Sequence, residues 1–201
     1  MKIAVCIKEV PDTEAEIVPA GTSIDESAVN KWILNPYDEF AVEEAVKLKE
    51  EGEGIEEVVA VSLGPERVRS AFQTALSMGA DRGIHIVADG MRDPARVAAA
   101  LAAAIRADGI PELVFAGNCA IDDNACQVHL RLAQYLGASS AINVSAFSWN
   151  GEGALVKREV GGGAEEELFL PSPAVVAVTR GINKPRYPTL PNIMKAKKKE
   201  I

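Results

Sequence analysis

The sequence predicts an α/β fold built on a doubly wound, mostly parallel sheet, and two patterns carry that expectation. Short apolar runs rich in β-branched residues alternate with longer segments of helical period through the first two thirds of the chain, an order that requires parallel strands joined by right-handed crossovers. The runs are apolar throughout and do not alternate, as in strands covered on both faces. Size agrees: 201 residues with 48% hydrophobic content suit one α/β domain, residues 1–180, followed by an extended segment, residues 181–201.

Ile3 to Ile7 reads as a buried central strand. Pro11 to Lys31 has no period and makes a long surface excursion of the kind that tends to be functional. Asn35-Pro36-Tyr37-Asp38 opens a helix, with Asn35 as N-cap, Pro36 in the first turn and Asp38 placed to meet free amides. Ala41, Val42, Ala45, Val46 and Leu48 form its apolar stripe, while Glu43, Glu44, Lys47 and Lys49 are expected to face water. Val58 to Leu63 is a second strand; Gly64-Pro65 opens a helix through Met78 that stops at Gly79. Ile84 to Val87 is a short strand, and Pro94 leads an alanine-rich helix whose small side chains allow close packing on a sheet. Leu113 to Ala116, a polar loop from Gly117 and a helix from near Asn124 complete the alternating series. Beyond Gly137, the strand-like runs Ala141 to Trp149, Ala154 to Val160, Glu167 to Leu170 and Ala174 to Val178 are separated by Gly-rich turns, which suggests antiparallel hairpins added to the sheet edge. Gly181 to Ile201 contains Pro185, Pro188 and Pro191 and a basic tail, and is expected to form no core element.

A net charge of -8 argues against nucleic acid as the main partner, since neutralising phosphates needs a basic surface. The exception is local, at Lys195, Lys197, Lys198 and Lys199. Cys6, Cys119 and Cys126 contain no C-x-x-C pair and are odd in number, so neither a disulfide framework nor a zinc site is indicated, and a reducing, cytoplasmic setting is expected. The opening apolar run is broken at Lys8, too early for a signal-peptide core, and no apolar run reaches the ~18 residues of a membrane span.

No catalytic constellation emerges: His85 falls in a strand and His129 in a helix, and no metal-ligand set is spaced for binding. The first strand is followed by Lys8-Glu9-Val10-Pro11, which excludes the usual Gly-rich dinucleotide turn. In a doubly wound sheet, however, Cys6, Leu63 and the loop Gly117 to Val128 converge at strand ends, beside the helix start Asn35 to Asp38, where they can wrap an adenine and ribose. Each of these residues also has a plain core or capping role. Asp122 and Asp123 are good helix caps, yet they repel a phosphate unless they turn away or bond elsewhere. At the other end, Leu190, Ile193 and Met194 form an apolar tip rimmed by lysines, which suits a docking loop or, alternatively, a cover over the domain's own core.

The stretch Asn183-Lys184-Pro185-Arg186-Tyr187-Pro188-Thr189-Leu190-Pro191-Asn192-Ile193-Met194-Lys195-Ala196-Lys197-Lys198-Lys199 closely resembles the signature region of the β subunit of electron transfer flavoprotein. Val156-Lys157-Arg158-Glu159, Asn35 to Asp38, Met78 to His85 and Ala120-Ile121-Asp122-Asp123 extend the resemblance over essentially the whole chain. It implies an adenine nucleotide α-hydrolase-like fold and a heterodimer in which the α subunit holds most of the FAD and this subunit binds AMP structurally. Carried over, the AMP pocket falls on Cys6, Asn35, Pro36, Tyr37, Asp38, Leu63, Gly117, Asn118, Cys119, Ala120, Ile121, Asp122, Asp123, Asn124, Ala125, Cys126, Gln127 and Val128. Flavin dehydrogenases are expected to dock through Tyr187, Leu190, Pro191, Ile193 and Met194, Glu159 to face the mobile flavin domain, and electrons to pass on to a quinone reductase. An alternative branch of the same family bifurcates electrons, with FAD in place of AMP and an NADH site; a stand-alone adenine-nucleotide module is a third reading. Three departures stand out. Cys126 and Val128 replace polar residues, often Asn and Thr, that help hold the phosphate. Asn118 and Cys119 replace a more usual Lys-Gln pair. An arm that embraces the α subunit is expected beyond the lysine cluster, where this chain stops at Ile201.

Overall fold

In the computed structural model, which describes residues 1–52, 54–90 and 93–201, the opening apolar run becomes strand β1, Lys2–Cys6. Its side chains alternate between two buried faces: Ile3 and Val5 join one hydrophobic cluster, Ala4 and Cys6 the other. The following excursion folds into short ribbons, β2 (Glu9–Pro11) pairing with β5 (Trp32–Leu34) and β3 (Pro19–Ala20) with β4 (Ser23–Ile24). Next come α1 (Pro36–Glu50), β6 (Glu57–Gly64), a single 3-10 turn at Glu66–Val68, α2 (Arg69–Met78) and β7 (Arg82–Val87). Then α3 (Pro94–Ala107), β8 (Leu113–Gly117) and α4 (Val128–Leu136) complete the alternating part. Helices α1 and α2 cover the Ile3 face, and α3 and α4 the Ala4 face, where Ala98 and Ala102 bring α3 close over Val59 and Val61. Phe72 of α2 is wholly buried, and truncation of such a side chain costs about 3–5 kcal/mol.

Beyond α4 lie β9 (Ser139–Trp149), β10 (Gly153–Gly161), β11 (Ala164–Pro171) and β12 (Ala174–Val178). The sheet has the order β11-β10-β9-β12-β8-β1-β6-β7. The expected edge hairpins are present in β9, β10 and β11, which pair antiparallel. β12 departs from the expectation: it runs parallel to β8 and to the first half of β9, and so lies inside the sheet with all five residues buried. Its run Ala-Val-Val-Ala-Val, with no polar alternation, is the composition such a position needs.

Two further expectations are corrected. Glu43 and Glu44 do not face water. They are buried against the returning C-terminal segment, where Arg186 makes paired contacts with Glu43 at 2.8 and 3.0 Å and with Glu50 at 2.6 and 2.8 Å, and the Asn183 amide donates to Glu44 at 2.8 Å. The segment after Gly181 does enter the packed structure. Thr189 caps a short helix, α5 (Leu190–Ala196), with Pro191 in its first turn; Ala196 is buried and Ile201 packs on the core. Lys199 donates to the Leu76 and Ala80 carbonyls at the end of α2, the end where a cation is favoured. The Glu200 carbonyl accepts the Gly83 N–H of β7 at 2.8 Å. Among the described residues no helix is long and apolar enough to cross a membrane.

Candidate functional site

The chain moves outward from β1 to β6 and β7, then returns to lay β8 on the other side of β1. Loops leaving the carboxyl ends of β1 and β8 therefore diverge, and the crevice between them is where an open α/β sheet takes a ligand. A cavity of about 660 Å³ lies there, a size proper to small-molecule pockets.

Cys6, Leu63 and Gly117 mark the strand ends at this cavity, with Asn35 and Asp38 reaching it from the start of α1. The loop wall is made by Asn118, Cys119, Ala120, Asp122, Asp123, Ala125, Cys126, Gln127 and Val128. Four expected residues, Pro36, Tyr37, Ile121 and Asn124, are not part of the lining. Tyr37 instead backs Gly117 so closely that a Cβ on that glycine would lie 2.7 Å from Tyr37 backbone and side-chain carbons and would collide with Asp38 Oδ1.

Asn35 and Asp38 serve the site, and not their own helix, as hydrogen-bond partners. The Asn35 side chain makes no cap bond; its Nδ2 donates to the Cys119 carbonyl at 2.9 Å and to Asp38 Oδ1 at 3.0 Å, and its Oδ1 accepts the Ile121 N–H at 3.2 Å. Asp38 accepts the N–H groups of Lys8 at 2.7 Å and Gly117 at 3.1 Å, joining the ends of β1 and β8 to α1. Burial pushes the Asp38 carboxyl up to about 7, against the pull of these three donors. Burial, helped by the Asp38 charge, pushes the Cys6 thiol up to about 12. His129, also on the wall, is pushed down to about 4 by burial, and its Nε2 has no hydrogen-bond partner among the described residues. At neutral pH Cys6 is a thiol and His129 a neutral imidazole, which suits holding a ligand more than attacking one.

Asp122 and Asp123, expected as helix caps, turn away from α4 and pair with Lys8 at 2.7 and 3.0 Å. The helix begins at Val128, later than the sequence suggested, because Asn124 and Cys126 take left-handed conformations with φ of 49° and 51°. The same reversal brings the Cα atoms of Cys119 and Cys126 to 4.7 Å and the two sulfurs are bonded, which corrects the expectation of no disulfide; Cys6 remains free and buried. Residues the sequence reading missed also line the cavity: Thr22 to Ile24 from the β3–β4 ribbon, Lys8, Ala88 to Gly90 after β7, and His129. Ala88 follows a strand and was accessible to the strand-end rule; the ribbon had no periodic signal. Arg67 secures the ribbon region by stacking over Trp32, 3.8 Å from its ring centroid, while ion-pairing with Glu9 at 2.9 Å.

A family model described as electron transfer flavoprotein domain matches residues 23–201. The chain is 41% identical over its whole length to the electron transfer flavoprotein subunit beta of Syntrophomonas wolfei, of which it covers 78%. It is 42% identical to the protein of the same name from Bradyrhizobium diazoefficiens and 41% identical to that of Homo sapiens, covering 80% of each. The chain belongs to the electron transfer flavoprotein β-subunit family. Its signature segment is presented outward: Tyr187 is 90% exposed, Leu190 78% and Met194 62%, with Pro191 and Ile193 also exposed, and Glu159 stands exposed on β10. Leu190 thus does not cover the domain's own core.

Proposed function

We propose that the chain is the β half of a heterodimeric electron transfer flavoprotein that carries electrons from flavin dehydrogenases to a quinone reductase. In this reading the cavity holds AMP as a structural ligand, the α subunit holds most of the FAD, and the exposed segment around Leu190 docks the dehydrogenase. The observation that carries the nucleotide assignment is the diversion of Asp122 and Asp123 onto Lys8. The Lys8 ammonium takes up their charge, and α4 starts at the cavity wall with no side-chain cap on its free N–H groups, a setting that favours an anion. Cys6, Leu63 and Val128 supply apolar wall for an adenine.

The test is to co-express the chain with its α subunit, purify the complex, denature it and count the released nucleotides by chromatography. One AMP and one FAD per heterodimer is the expected result. Two flavins and no AMP would replace AMP by FAD and favour the electron-bifurcating alternative. Failure to form a yellow complex, with the isolated chain binding adenine nucleotides tightly, would favour the stand-alone module and sink the subunit assignment.

A further inference from the structure

Cys119 and Cys126 stand at the two ends of the loop that walls the cavity, and both line it. Their bond closes a ring from the residue two past β8 to the residue two before α4. Within that ring, two ties to the rest of the molecule are side-chain contacts: Asn35 holds the Cys119 carbonyl and the Ile121 N–H, and Lys8 holds Asp122 and Asp123. Asn124 to Cys126 is held differently. Asn124 and Ala125 bond within the loop, to the Ala120 carbonyl and to Asp123 Oδ1, and Cys126 is bonded through sulfur to Cys119. Asn124 and Cys126 are non-glycine residues in left-handed conformation, each costing on the order of 1 kcal/mol, so this stretch has conformational energy to release when a constraint is removed. Both cysteines are half-buried, within reach of solvent, whereas Cys6 is buried with its thiol pushed up.

We propose that Cys119 and Cys126 form a redox latch on the cavity: an exchangeable disulfide that dithiol reductants open, freeing residues 124–127 and letting the nucleotide leave. A thiolate of the reductant attacks one sulfur, the Cys119–Cys126 bond breaks and a mixed disulfide forms; the reductant's second thiol resolves it. Two electrons and two protons reach the cysteines, and the dithiol leaves as a cyclic or intramolecular disulfide. The oxidised chain holds its nucleotide and the reduced chain exchanges it. The nucleotide part rests on the reading given under Proposed function; the loop part does not.

Three measurements on the complex of the full chain with its α subunit test this, with dithiothreitol as the reductant. Iodoacetamide mass mapping should label Cys119 and Cys126 only after reduction. Limited proteolysis should cut between Asn124 and Gln127 faster after reduction. Release of a fluorescent AMP analogue into excess AMP should accelerate about tenfold on reduction, since opening a short ring relaxes the segment it constrained. The Cys119→Ser/Cys126→Ser variant should show the fast rates with or without reductant. Labelling of both cysteines before reduction, or cleavage and release rates indifferent to it, overturns the latch. Reduction-sensitive cleavage with no nucleotide bound in either state supports the latch and overturns the AMP assignment instead.

Discussion

Asp38 joins three segments with one carboxylate: the N–H groups of Lys8 and Gly117 and the amide of Asn35 all donate to it in a fully buried place. Asp38→Asn keeps the shape but turns an NH2 toward at least one of these donors. A buried donor left unsatisfied costs about 1–3 kcal/mol, so the variant should lose about 2 kcal/mol in chemical denaturation, and nucleotide content should fall with it. A stability equal to wild type would show that the carboxylate is not the junction. Gly117→Ala should be worse tolerated than the usual glycine change, because the new methyl collides with fixed groups on Asp38 and Tyr37. At this scale the sequence conveyed which residues gather and not how they bond. Asn35 looked like a cap because an Asn before a Pro is one locally; its true partners, Cys119 and Ile121, are more than eighty residues further along. The disulfide was hidden for a similar reason: seven residues of separation mean nothing until two left-handed residues fold them back.

The helix α1 has two tasks, since its first turn helps build the cavity and its outer face, through Glu43, Glu44 and Glu50, grips the segment that carries Leu190. Leu190→Ala should therefore separate docking from folding. In the docking role proposed for Leu190, its loss should cost about 2 kcal/mol of affinity, read as weaker dehydrogenase-dependent flavin reduction, while the melting temperature stays put because the side chain is 78% exposed. A lowered melting temperature with normal reduction kinetics would assign it to the core. Arg186→Ala should do both harms, because it leaves Glu43 buried without its partner at a cost of roughly 3 kcal/mol and slackens the support under Leu190. Helical period could place α1 and its apolar stripe, but it reads charge against the helix alone. The partner that buries Glu43 lies 143 residues away in sequence.

Over the whole molecule, the alternation of strands and helices was legible because parallel strands must be apolar along their length and crossovers must be helical. The insertion of β12 beside β8 was not, because a five-residue apolar run fits an edge hairpin as well as a central strand until its neighbours are known. Acid stability is a property at this scale, and His129 should contribute to it. Its folded pKa of about 4 lies below the unfolded value, so the unfolded chain binds more protons between these limits; the stability it allows is complete above pH ~6.5 and is lost as pH falls toward ~4. Replacing it by Gln should thus improve the variant relative to wild type by roughly 3 kcal/mol between pH 7 and 4 in denaturation series, and a difference that does not change with pH would refute the assignment. The two borders of the sheet have a last consequence. On one, the Gly83 N–H is taken by the chain's own Glu200; on the other, β11 carries Glu165, Glu166 and Glu167 in succession after Ala164, the last two ion-paired with Arg158 and Lys157 of β10. A free strand edge is a template for growth by neighbouring copies, and a border whose backbone is partly taken up by the molecule's own tail offers less of that template.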